Sequence, residues 1–239
     1  MALIACSAAI CYIETIESER DMNLSYKTLK KIHRDTRDGF PESLALRTHR
    51  ALSWLKRAEE EKDDPDAKFL FLWIAFNAAY ANELPDRHQY SDKSLFVQFL
   101  FRLIDSDEDK ALYKAIWDNF AGAIRLLIDN RYVFQPFWDY QSGQLSKDEW
   151  EQKFQASKSQ AHTALGRMDT KRVITVMFDR LYVLRNQMIH GGSTWNSSIN
   201  RSQVEDAVKI LGVIVPIIIL LMMNRPNELW GDPCYPVVK

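Results

Sequence analysis

The reading of the fold turns on KRVITVMFDRLYVLRNQMIHGG, residues 171–192. Its apolar residues fall at Val173, Met177, Leu181, Leu184 and Met188, steps of four, four, three and four that match one face of an α-helix. With Leu181 set at zero and about 100° per residue, these five fall between roughly −80° and 0°, within an apolar sector that spans roughly −80° to +60°. Such a helix buries one side against other helices and leaves the other polar. Gly191-Gly192 supplies the stop, because a glycine takes the left-handed conformation that closes a helix C-terminus.

The same period runs outward in both directions. Residues 67–84 include Phe69, Leu70, Phe71, Leu72, Trp73, Ile74, Phe76 and Tyr80, apolar nearly all round, and are expected at the centre of a bundle. Asp63-Asp64-Pro65-Asp66 caps that helix and separates it from another over residues 42–62. Ser91 or Asp92 opens a helix through Ile104, and Ser106-x-x-Asp109 resembles a capping box for a long helix to Asp129. Ser146-x-x-Glu149 opens another that ends near Gly166, and Ser202-x-x-Glu205 opens the last, 203–223, with a kink expected at Pro216. Between them, 131–143 is aromatic and turn-rich and reads as a packed loop or an insertion. No internal repeat and no parallel-strand pattern occurs. The expected fold is all-α, an antiparallel bundle of about six to eight helices. The expected organisation is an N-terminal arm over 1–40, a helical domain over 41–224 with an insertion at 130–166, and an extended tail over 225–239.

Composition narrows the function classes. The 239 residues are 46% hydrophobic and 26% charged, enough for a substantial core. Lys plus Arg number 31 against 32 Asp plus Glu, so a polyanion would have to be held by a local patch. Three cysteines without CxxC or metal spacing fit a reducing, cytoplasmic setting better than a disulfide framework. The apolar run 211–223 is shorter than the ~20 residues of a membrane span and contains Pro216, so it reads as a buried core helix. Residues 1–13 lack a basic lead and read as a packed terminal element, not a signal peptide. No membrane partner is expected.

The chemistry gathers at the end of 171–190. On the same helical wheel Arg185 falls at about +40°, at the rim of the buried sector, Asn186 at about +140° and His190 at about 180°. Asn186 and His190 share a face, whereas Arg185 and His190 stand about 140° apart and cannot converge within a regular helix. Convergence therefore needs unwinding at Gly191-Gly192, or a second copy of the corner across a two-fold axis. The residue types suit phosphodiester chemistry: histidine as acid or base, arginine as a clamp on a phosphate oxygen. No acidic cluster or His/Cys spacing suggests a metal, and no cofactor is expected. Metal-free RNA cleavage by attack of the 2′-hydroxyl is the natural reaction class. The plainer readings stay open: an arginine paired with a buried carboxylate, and a histidine that merely precedes a glycine cap. Asn77 lies about 40° from Trp73, in the richest apolar face, and would either bond a neighbouring helix or face the Arg185/His190 corner. His33, His49, His88 and His162 read as isolated, solvated or structural.

Arg185-Asn186-Gln187-Met188-Ile189-His190 resembles the R-x4-6-H signature of the HEPN superfamily, with the frequent Asn directly after the Arg. The placement is similar too, late in a helical domain with one further helix behind it, and the glycine pair and aromatic 69–80 helix resemble the larger Apea-like HEPN type. The resemblance implies a homodimer with a composite cleft and metal-independent endoribonuclease activity, of the kind found in toxins and anti-phage defence proteins. It implies that Arg185 and His190 are catalytic and that Asn186 supports them. RNA and an antitoxin or regulatory protein are the implied partners. A non-catalytic HEPN-like module binding RNA, a nucleotide or a protein is the alternative. Some HEPN toxins carry a tyrosine two residues after the histidine, which a partner nucleotidyltransferase modifies; Gly192 stands there in this chain.

Overall fold

The computed structural model describes residues 24–81, 92–228, 230, 231 and 233. Among them are ten α-helices and no strand. They are α1 (Tyr26–Thr36), α2 (Glu42–Glu60), α3 (Pro65–Tyr80), α4 (Asp92–Ser106), α5 (Ala111–Lys114, continued by a π-type turn Ala115–Asn119), α6 (Ala121–Asp129), α7 (Gln135–Gln141), α8 (Lys147–Gly166), α9 (Thr170–Ile189) and α10 (Arg201–Asn224). The fold is all-α, as the periodicity requires.

Local chemistry sets several boundaries. Asp64 caps α3 by accepting from the Ala67 amide at 3.0 Å, with Pro65 in the first turn where its missing N–H costs nothing. Ser146 and Glu149 exchange hydrogen bonds at the start of α8, the reciprocal capping box expected there. Two other expected starts differ. Ser106 ends α4 and donates its hydroxyl to the Leu103 carbonyl, while Asp107 takes the amides of Ala111 and Leu112. The expected 106–129 helix is thus broken: Lys110 is left-handed at φ 55°, a π-type turn follows, and α6 begins afresh after Phe120. α10 starts at Arg201 behind Asn200, which makes no side-chain cap, so Ser202 is inside the helix rather than before it. Together with α1 and α7, which arise in stretches read as an arm and a loop, this break raises the helix number above the six to eight expected.

α2 and α3 form a tight hairpin, and α10 lies across both. The centre is aromatic: Trp73 and Phe76 of α3 pack on Phe178 and Tyr182 of α9 and on Phe96 and Phe99 of α4, with Phe76–Phe178 at 4.6 Å between ring centres. Because Phe76 meets Phe178 and Trp73 meets Tyr182, α3 and α9 run antiparallel. α10 is long and apolar enough to cross a membrane by length and composition, yet 67% of its most apolar window is buried inside the fold. Ile210, Leu211, Ile214, Ile218, Ile219 and Met222 are sealed from water, each buried side chain contributing about 1.5–3 kcal/mol of transfer free energy. The helix continues through Pro216.

The 130–166 stretch is divided between two cores. Phe137, Trp150 and Phe154 form a separate small cluster with Phe134, Tyr140 and Leu145. Ala161, Ala164 and Leu165, at the far end of α8, belong to the main core. Of the 1–40 arm, the described part is α1, which packs on α2 and α10 through Leu29 and His33. In the tail, Trp230 is buried on Phe99, and buried Arg47 donates to the Gly231 and Ala79 carbonyls.

Candidate functional site

α9 stays regular to Ile189. His190 is its last capping residue, at φ −90° and ψ 11°, with its amide on the Asn186 carbonyl at 3.0 Å. Gly191 takes φ 70°, and its amide bonds the Met188 carbonyl at 3.3 Å while the Gly192 amide bonds the Gln187 carbonyl at 2.6 Å. This crossed pair is the Schellman closure. Each glycine has its own reason. Gly191 occupies a conformation that penalises a Cβ, and a Cβ at 192 would stand 3.2 Å from the Gln187 carbonyl oxygen. The glycine pair therefore ends the helix and does not unwind it. Of the two routes by which Arg185 and His190 could converge, unwinding is not taken here.

The side chains of the corner are placed differently from one another. Arg185 is half-buried, donates from Nη1 to Asn186 Oδ1 at 2.9 Å, and lies over the Tyr182 ring at 5.9 Å. Its Nε is buried without a hydrogen-bond partner among the described residues, and no described carboxylate pairs with the guanidinium. Asn186, which the helical phase groups with His190, is thus bound to Arg185, whose long side chain crosses the gap between adjacent positions. The His190 ring is exposed. So the helix end presents an arginine held by Asn186 and a solvent-facing imidazole.

Asn77 is not part of this corner. The antiparallel pairing sets Phe76 beside Phe178, while the residues after His190 reach Asp64 and Asp66 at the opposite end of α3. Eleven residues of helix, about 16 Å, separate Asn77 from Asp66. Its Oδ1 is buried with no hydrogen-bond partner among the described residues, so the expected bond to a neighbouring helix is not made by that atom there.

A polar lock fixes the loop behind His190. Asp66 Oδ2 accepts from Arg201 Nη2 and from the Asn196 amide, both at 2.8 Å, and Asp64 Oδ2 accepts from the Trp195 indole at 2.9 Å. Hydrogen bonding from the Ala67 amide, with help from the indole and against an opposing desolvation effect, holds the Asp64 carboxyl below the usual range. Gln187 joins the loop to the insertion: Asn200 donates to its Oε1 at 3.3 Å, and its Nε2 donates to the Tyr132 carbonyl. Arg201 adds a second arginine near the corner, with Nε and Nη1 buried and unpartnered among the described residues. Arg201 and Asp66 escape a reading of the sequence: Asp66 looks like part of a cap, and 135 positions separate the two. Three large apolar side chains are exposed in this segment: Ile189 before His190 at 49%, and Trp195 and Ile199 in the loop behind it at 75% and 77%. Among the described residues no group of three or more His, Cys, Asp or Glu is placed to hold a metal.

His33 and His49 are not isolated. They lie 6.3 Å apart between ring centres and, with Arg37, Glu42, Ala45 and Leu46, line a cavity of about 260 Å³ between α1 and α2. His162 pairs with Asp129 at 2.9 Å. His88 lies outside the described residues.

The fold and the corner define an all-α protein that presents an Arg/Asn/His helix end. Comparison with protein families, curated proteins and solved structures found no match.

Proposed function

We propose that this chain is a homodimeric, metal-independent endoribonuclease of the HEPN kind, acting in toxicity or antiviral defence. The observation that carries the reading is the closed end of α9: it stays regular to Ile189, so the backbone positions of Arg185 and His190 point about 140° apart, with Arg185 braced by Asn186 and His190 free, an arrangement suited to a site completed by a second copy. The exposed Ile189, next to His190, and the exposed Trp195 and Ile199 of the loop behind it would offer that copy apolar surface. In the composite cleft, Arg185 of one subunit steadies a non-bridging phosphate oxygen and Asn186 holds its guanidinium in place. His190 of the other subunit moves a proton. The 2′-oxygen forms a bond to phosphorus as its proton leaves, the 5′-oxygen bond breaks, and that oxygen takes a proton; the products are a 2′,3′-cyclic phosphate and a 5′-hydroxyl.

The test uses the purified full chain and RNA in EDTA. Cleavage should fall by about 10²-fold or more in His190→Ala and in Arg185→Ala. Mixing the two inactive variants should restore activity, because each mixed dimer contains one intact site. Cleavage that survives His190→Ala, or inactive variants that stay inactive when mixed, sinks the composite mechanism.

A second reading rests on the same apolar trio. A non-catalytic module would use Ile189, Trp195 and Ile199 to bind a protein partner. It predicts no turnover in any RNA assay and loss of partner binding on Trp195→Ala.

A further inference from the structure

The cavity between α1 and α2 is lined by two histidines, an arginine and one carboxylate, and it lies outside the Arg185/His190 corner. His33 is 2% exposed, and neither ring nitrogen makes a full hydrogen bond among the described residues, the Ala45 backbone offering a weak polar contact. A buried imidazole normally has its N–H satisfied, and leaving it unmade is costly. The surroundings are cationic: Lys30, Arg34 and Arg37 on α1 and its terminal turn, and His49 on α2. Arg37 and His49 are exposed at the rim, so they are free to turn inward. The opposing charges are Glu42 in the lining and Asp38, which meets Arg37 at 3.7 Å. α10, which also packs on α1, has no charged residue between Lys209 and Arg225. At about 260 Å³ the cavity falls below the ~300–1,000 Å³ of sites for drug-sized ligands, so it suits a compact group.

We propose that this cavity binds a phosphate-class dianion, held by Arg37 and His49 at the rim and by the His33 ring at its inner wall. The dianion supplies what the site lacks: acceptor oxygens for an unmet N–H, and negative charge among clustered cations. Burial first, and then Lys30, His49 and Arg37, push the His33 imidazole down to about 4, against a small opposite pull from the Ala45 backbone. A bound dianion would oppose that shift, so binding and protonation of His33 reinforce each other.

Sulfate is the suitable probe, since it stays a dianion throughout the range. Histidine Cε1–H resonances of the full chain are followed from about pH 3.5 to 8, with sulfate and with chloride at equal ionic strength. With sulfate the His33 midpoint should rise by about two units, and sulfate should then bind roughly tenfold tighter at pH 5 than at pH 8. Arg37→Gln and His49→Gln change exposed residues and should fold; each should weaken sulfate binding about tenfold, and Glu42→Gln should strengthen it. A midpoint that sulfate leaves unmoved, or rim variants that bind sulfate as the parent does, overturns the proposal. Displacement by a 5′-phosphorylated oligonucleotide but not by its dephosphorylated form identifies a terminal phosphate as the source. Displacement by both identifies the backbone. Displacement by neither overturns the assignment to a phosphate-bearing ligand. His190→Ala leaves all these readouts unchanged, which separates this site from the nuclease reading.

Discussion

His33 couples the stability of the fold to pH. Its ring titrates at 6.5 when unfolded and is pushed down to about 4 in the fold, chiefly by burial. Between those values the unfolded chain takes up a proton that the folded chain refuses. The contribution is therefore complete above pH 6.5 and is lost as the pH falls towards about 4, by roughly 2–3 kcal/mol. Unfolding in urea at pH 7.5 and 4.5 should show the parent losing that much more stability than His33→Gln. Parallel losses would mean that the folded ring is solvated or already charged. Nothing in the local sequence announces this, because a histidine among lysines and arginines in α1 looks like part of a wet face. Only the packing of Phe40 and α2 over it makes the difference. Arg180 is a similar case: the residue is 3% exposed, its guanidinium lies 4.3 Å from the Phe134 ring centre, and burial pushes it down to about 10.

At the scale of the helix, the closure of α9 can be measured. Gly191→Ala places a Cβ at φ 70° and should cost about 1–2 kcal/mol, lowering the melting temperature by roughly 2–6 °C. Gly166→Ala, with ordinary backbone and open space around it, is the control and should be neutral or mildly stabilising. Equal melting of both variants would refute the cap. Elements with local punctuation are readable in the chain: the Asp64-Pro65 start of α3, the Ser146/Glu149 box and the Gly-Gly stop all act within a few residues. The 106–129 stretch is not. Its apolar period is continuous, and the break depends on Asp107 gathering two amides and on a left-handed Lys110, neither of which leaves a mark in the period. At the corner, the separation of Arg185 and His190 by about 140° is legible, since it follows from helix geometry alone. The Arg185–Asn186 bond is not, because adjacent helical positions point apart.

Across the whole molecule, the bond from Asp66 to Arg201 joins the first turn of α3 to the first turn of α10. Side-chain exposure is only 12% and 21%. Removing one partner strands the other, so Asp66→Ala should cost about 2–4 kcal/mol in urea unfolding. A loss of less than about 0.5 kcal/mol would show that the pair is as weak as a surface ion pair. Contacts of this kind, 135 positions apart, are set by topology, and no local pattern announces them. Asp64 and Asp66 also do two jobs each: Asp64 caps α3 and holds the Trp195 indole, while Asp66 holds the Asn196 amide and Arg201. The start of α3 and the loop behind His190 should consequently breathe as one cooperative unit. In hydrogen exchange the Ala67 and Asn196 amides would open at a common rate, and the environment of His190 would be timed by fraying of a helix more than a hundred residues earlier in the chain.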